Sequence, residues 1–241
     1  MKKRINLTLA LISIMILAPN YVFGMHIMEG FLPIKWAIFW YVVSLPFVIM
    51  GMRKISKTFN DNPNQKMLFA LVTAFVFILS ALKMPSITGS TSHPTGTGLG
   101  AILFGPLPMS VSGLIVLLFQ ALLLAHGGIT TLGANVFSMA VAGPYVAFAI
   151  YKMLKNKNKK IAIFTAAACA NIFTYVVTSV QLAFAHPDVV GGVTSSLLKF
   201  LSIFAFTQIP LAIAEGILTV IILNLIANYE NEAGYEIEKN N

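Results

Sequence analysis

A histidine directly after a free amino terminus is a ready metal chelate, and cleavage after Gly24 creates one, Met25-His26. The Met25 amine, the His26 backbone nitrogen and the His26 Nδ1 then act together. Amine and amide nitrogen close a five-membered ring on a metal, and amide nitrogen and Nδ1 close a six-membered one, so the three fall nearly in one plane. A fourth nitrogen completes a square. His93 is the candidate, in the polar run from Thr88 to Gly98, where Pro94 biases it toward an extended backbone and small neighbours allow another strand close. Four coplanar nitrogens suit Ni(II) or Cu(II), and imidazole also accepts cobalt and zinc. Binding must release protons, because amine and imidazole have to be neutral and the amide has to lose its hydrogen, so affinity is expected to fall steeply in mild acid.

The chelate depends on the leader. Lys2, Lys3 and Arg4 form a charged region, Leu7 to Leu17 an apolar one, and Val22-Phe23-Gly24 a small-residue cleavage site, so residues 1–24 read as a signal peptide. If the segment instead stays attached as an anchor, the amine is lost.

The elements that position these ligands must sit in a membrane. Hydrophobic residues make up 57% of the 241, charged ones 10%, and mean hydropathy is +0.83, against roughly 25% charged in soluble domains. The net charge of +8 is concentrated in the leader and two loops, which argues for membrane orientation and against nucleic acid. A crossing helix needs about 20 mostly apolar residues. Candidates are Ile34 to Met52, Met67 to Leu82, Met109 to Ala125, Ala134 to Leu154, Ile161 to Ala185 and a long run from Leu197 to Asn228.

The basic loops Arg53 to Lys66 and Lys152 to Lys160 are assigned to the cytoplasm, with the mature amino terminus outside. Residues 84–133 then have to cross an even number of times, so Met109 to Ala125 needs a partner. The glycine-rich Thr95 to Leu107 is the available one, as a short or broken span tolerable only when wrapped in protein. The expectation is an all-α polytopic membrane protein of about seven transmembrane helices over residues 25–228, followed by a polar cytoplasmic tail, 229–241. The last long run is expected to begin with an interfacial segment, Leu197 to Gln208, and to bend at Pro210.

This orientation puts His26, His93, His126 and His186 at one face. His126, before Gly127-Gly128, and His186, before Pro187-Asp188, sit at helix ends, where loop-fixing is expected rather than ligation; His126 could also steady a ligating imidazole. Glu29 is either solvated or paired with Lys35, or supports the ligands from behind. Glu215 lies within the last apolar run and must face the interior, as a hydrogen-bonded group or toward a cation or partner. Met25 and Met28 could offer sulfur, though packing is the commoner use. Gln120, Asn135, Asn171, Gln181 and Gln208 read as polar links between helices, and the lone Cys169 as a core residue.

No phosphate-binding G-x-x-x-x-G-K-[ST] loop occurs, so the chain has no ATPase motif and uphill transport needs another subunit or a gradient. No H-E-x-x-H occurs either. A membrane-embedded metalloenzyme remains a rival reading, but it would need an open coordination position that a closed four-nitrogen site lacks.

Five stretches carry a resemblance: Met25-His26-Ile27-Met28-Glu29-Gly30-Phe31-Leu32-Pro33, Gly89 to Pro106 with its Ser92-His93-Pro94-Thr95-Gly96 core, Leu123 to Asn135 around His126-Gly127-Gly128, Phe173 to Gln181, and Thr207 to Gly216. Together they closely resemble the CbiM family, the substrate-specific membrane component of energy-coupling factor cobalt transporters. The resemblance implies capture of Co(II) by the processed Met25-His26 terminus together with His93. It also implies a small membrane subunit, a transmembrane coupling subunit and an ATPase as partners in the cell membrane, supplying cobalt for cobalamin biosynthesis. Nickel-specific relatives share the chelate, so Ni(II) uptake is the alternative; the Met28-Glu29 pair looks more like the cobalt branch.

Overall fold

The computed structural model describes residues 26–82, 84–85 and 91–233. The leader 1–24, Met25, Lys83 and the tail from 234 onward lie outside the described residues, so cleavage and the amine ligand are expectations the fold does not touch.

Seven helices make up the described fold. They are α1 (Ile34–Asp61), α2 (Gln65–Ala81), α3 (Thr97–Phe104), α4 (Pro106–Leu124), α5 (Leu132–Leu154), α6 (Lys159–Ala185) and α7 (Gly192–Ala233). Between α2 and α3 two short strands, β1 (Met84–Pro85) and β2 (Thr91–Ser92), pair antiparallel. Five helices are long and apolar enough to cross a membrane; α2 is shorter, at 17 residues. Large apolar side chains such as Ile38, Val42, Leu71, Leu122, Ile213 and Leu225 are exposed on their outer faces, as a lipid-facing surface requires.

The glycine-rich segment expected to be a short or broken span becomes α3, whose eight residues rise about 12 Å, well under the roughly 30 Å of a hydrocarbon core. It is therefore not a seventh full crossing. Residues Thr97 to Ile102 are all buried, and α3 packs against α4, α5 and α6, so most of its length is wrapped in protein. Gly96, at φ +70°, turns the chain into α3 in a conformation that side chains resist. Pro106 then opens α4 at the position where its missing N–H costs nothing.

The last apolar run is a single continuous helix of 42 residues that passes through Pro210 and begins at Gly192, with no separate interfacial segment. It also continues to Ala233, taking in the first five residues, 229–233, of the expected polar tail. In α5, residues Val136–Ala142 form a π-helical stretch just before Pro144. A proline cannot return a hydrogen bond to the carbonyl four residues earlier, and the wider turn absorbs the mismatch.

The core has two parts. One, around Met109, Leu117, Met139, Ala140 and Ile163, joins α3 through α6. The other gathers Ile27 and Leu32 of the amino-terminal segment against Ala37, Ala134, Leu182, Phe200 and Phe204. The segment ahead of α1 is thus part of the bundle's packing.

Candidate metal site

His26, His93 and His126 converge although they come from three distant parts of the chain. Their ring centroids lie 4.4 Å (His26 to His93), 4.5 Å (His26 to His126) and 5.1 Å (His93 to His126) apart. One ligand atom from each lies within 4.8 Å of the others, and the three rings are 2%, 0% and 5% exposed, so the cluster is closed to bulk water.

Hydrogen bonds distinguish the two ring nitrogens of His26 and of His93. Ser80 Oγ donates to the Val76 carbonyl at 2.5 Å, so its oxygen accepts from Gln120 Nε2 at 2.7 Å. That leaves Gln120 Oε1 to accept from His26 Nε2 at 3.1 Å. The proton of His26 is therefore on Nε2 and the lone pair on Nδ1, the atom the chelate requires. His93 takes the opposite tautomer. Its Nδ1 lies 2.9 Å from the Pro94 carbonyl, which can only accept, so the lone pair is on Nε2.

The amino-terminal segment is clamped from below by the start of α5. Ile27 N donates to Asn135 Oδ1 at 2.8 Å, while Asn135 Nδ2, at 3.0 Å, and Thr131 Oγ1, at 2.6 Å, both donate to the Ile27 carbonyl. Gly30 N donates to Thr130 Oγ1 at 3.0 Å. Gly128 permits the approach: a Cβ there would stand 2.5 Å from Glu29 Cα and 2.6 Å from its nitrogen.

Glu29 is not among the side chains whose ligand atoms cluster with the three imidazoles. Its carboxylate accepts from Thr130 N at 3.1 and 3.3 Å, and the Thr130 hydrogen bonds hold its pKa below the ordinary carboxylate value. These contacts join the segment to the α4–α5 loop.

His126 packs its ring directly against those of His26 and His93, more than loop-fixing requires. It follows Ala125, which takes a left-handed φ of 46°, an unfavourable state for a residue with a Cβ. Its backbone N–H donates to the Gln120 carbonyl at 3.1 Å, so the residue that orients His26 also terminates the turn presenting His126. His186 does fix a loop: its Nε2 donates to the Phe31 carbonyl at 2.7 Å. Glu215 is 1% exposed and accepts four hydrogen bonds, so it is a satisfied interior group.

Sequence reasoning did not find the clamp by Asn135 and Thr131 or the orienting role of Gln120. By residue type alone Gln120 and Asn135 are general polar links between helices, and Thr131 carries no local signal. The available signal was their place in one stretch, residues 120–135, with His126 at its centre.

Fold and site together define a polytopic membrane protein enclosing a cluster of three imidazoles of a size to hold a metal ion. The chain belongs to the CbiM family, whose model, described as "cobalt uptake substrate-specific transmembrane region", matches residues 26–233. It is 60% identical over 239 residues to a cobalt transport protein CbiM of Acetoanaerobium sticklandii, covering 99% of both chains. It is 62% identical over 214 residues to one of Desulforamulus reducens, covering 89% of this chain and 86% of that one. The crystal structure of a truncated transition metal transporter superposes with a TM-score of 0.73 at 25% identity, covering 88% of this chain and all of that one. A second transition metal transporter superposes at 0.74, with 26% identity, covering 86% and 94%. These relatives are transport proteins and not enzymes, so the metalloenzyme reading is set aside.

Proposed function

We propose that this chain is the substrate-binding membrane component of an ATP-driven energy-coupling factor importer that takes up Co(II) for cobalamin biosynthesis. Four nitrogens hold the ion: the Met25 amine freed by cleavage after Gly24, the His26 amide nitrogen, His26 Nδ1 and His93 Nε2. The observation carrying the proposal is that His26 and His93 present opposite ring nitrogens beside each other in a buried cluster, each tautomer set by its own acceptor. The amino terminus faces outward, where the ion is captured. The chain lies in the cell membrane and works with a small membrane subunit, a transmembrane coupling subunit and an ATPase. The absence of a phosphate-binding loop supports an energy source on another subunit.

Intact mass combined with bound-metal analysis of the purified protein tests cleavage and ligation together: a chain beginning at Met25 with one cobalt is expected. The planar nitrogen set keeps Ni(II) as a second reading. Uptake of cobalt with nickel in competition separates them; preferential loss of cobalt uptake at equal nickel would reverse the assignment of cargo.

A further inference from the structure

Beyond the pairing of β2 with β1, the loop that bears His93 exchanges a series of side-chain hydrogen bonds with one helix. Thr207 Oγ1 lies 2.7 Å from Ser92 Oγ, Gln208 Nε2 donates to the His93 carbonyl at 3.3 Å, and Glu215 receives Thr95 N at 2.7 Å, Thr95 Oγ1 at 2.8 Å and Gly96 N at 2.7 Å. Thr207, Gln208 and Glu215 all belong to α7, the last two being two helical turns apart and so on one face. Asn171 of α6 joins them, donating through Nδ2 to Glu215 at 2.5 Å and accepting from Gln208 Nε2 at 2.6 Å. The backbone on both sides of the His93 ring is therefore tied to α7. We infer that Glu215 is the positioning residue that brings His93 to the metal, and that through it α7 sets whether the fourth nitrogen is in place.

This inference rests on His93 being a ligand. Its physical basis is the chemistry of the contact. Each Glu215 oxygen accepts two donors, so a group with four acceptor positions meets four hydrogens and nothing else. A carboxylate among membrane-length helices is costly, and a neutral side chain would leave a buried backbone N–H facing a donor. The close approach of α7 to α6 that this needs occurs at Gly216, where a Cβ would stand 2.7 Å from the Phe164 ring and 3.0 Å from its carbonyl oxygen. Pro210 lies between Gln208 and Glu215 and has no N–H to return to the carbonyl one turn back, so α7 has a place to bend between its two holds on the loop. A shift of α7 draws Ser92 to Gly96 with it, and His93 leaves the metal while the three terminal nitrogens remain. That is a route to weakening the site without moving the chelate.

The test is a double-mutant cycle on the mature protein in detergent, reading cobalt affinity by competition with a chromophoric chelator and ligand number by X-ray absorption at the cobalt edge. Glu215→Gln keeps the shape but turns an amide N–H toward donors. It is expected to weaken cobalt binding about tenfold or more and to remove one imidazole from the absorption signature, as His93→Ala does. The double variant is expected to bind within about twofold of His93→Ala alone, because a positioning residue has nothing left to position. Independent, multiplicative losses, or Glu215→Gln with an unaltered imidazole signature, would overturn the inference and leave the ligand assignment standing. Wild-type binding by His93→Ala would remove the ligand assignment and this inference with it. If Glu215→Gln does not insert, Thr95→Val, which deletes one of the four donors, enters the same cycle with a smaller loss and the same criterion.

Discussion

Asn135 holds Ile27 with both ends of its amide, accepting from Ile27 N at 2.8 Å and donating to the Ile27 carbonyl at 3.0 Å. The side chain thereby imitates a strand partner for the one residue that follows the proposed chelate. With Ile27 N engaged, the terminal chelate ends at the His26 nitrogens, and its remaining position has to be filled from elsewhere in the fold.

Replacing Asn135 with Asp keeps the acceptor for Ile27 N but sets an oxygen against the Ile27 carbonyl. Leaving buried polar groups unsatisfied costs about 1–3 kcal/mol, so cobalt affinity is expected to drop by about tenfold or more. Titration of the purified variant checks this, with limited proteolysis reporting whether the terminal segment has come loose.

At Gly128 even one methyl group collides with the Glu29 backbone, 2.5 Å from its Cα and 2.6 Å from its nitrogen, as well as with its carboxylate, so moving the side chain alone does not relieve the clash. Gly128→Ala should insert normally, since the residue lies in a loop between α4 and α5, yet lose metal binding because residues 26–30 cannot seat. Equal metal content in variant and wild type would show that the segment docks by another path.

Acid should empty the site. Amine and imidazoles take up protons as pH falls, and the metal leaves. Glu29 has a different sign and range. Its folded value is held below normal, chiefly by Thr130, so its contribution to seating the segment is present above the ordinary carboxylate value and lost only as pH falls through the lowered one. Release through the imidazole range therefore precedes any effect of Glu29, and Glu29→Gln should leave the midpoint of acid release in place. A midpoint that moves with Glu29 would tie the carboxylate to the metal.

His126→Ala tests the third imidazole. A residue that steadies ligating groups typically costs about 10- to 100-fold in metal affinity when removed. We expect about tenfold, less than for His93→Ala, with the terminal chelate intact by absorption spectroscopy.

Blocking removal of residues 1–24 takes away the Met25 amine. A variant with a large residue in place of Gly24, still inserted in the membrane, should carry no tightly bound cobalt even though His26 and His93 are unchanged; metal analysis alongside intact mass decides it.

Much of this molecule follows from order along the chain. The apolar runs became helices because a backbone in lipid has to bond within its own segment, which makes length and hydropathy enough to find α1, α2, α4, α5, α6 and α7. Glycines and prolines from Gly96 to Pro108 announced an interrupted segment, and α3 is short and wrapped in protein for the reason given by its composition. The continuity of α7 through Pro210 went the other way: flanking helical residues and packing against α6 outweighed one missing hydrogen bond. What folding alone decided is who meets whom. Burial of His126 beside His26, the amide of Asn135 on Ile27 and the four donors around Glu215 join residues 44 to 120 positions apart. Polar side chains in apolar helices have to find partners, but which partner is a matter of helix rotation and depth, and neither is written in local sequence.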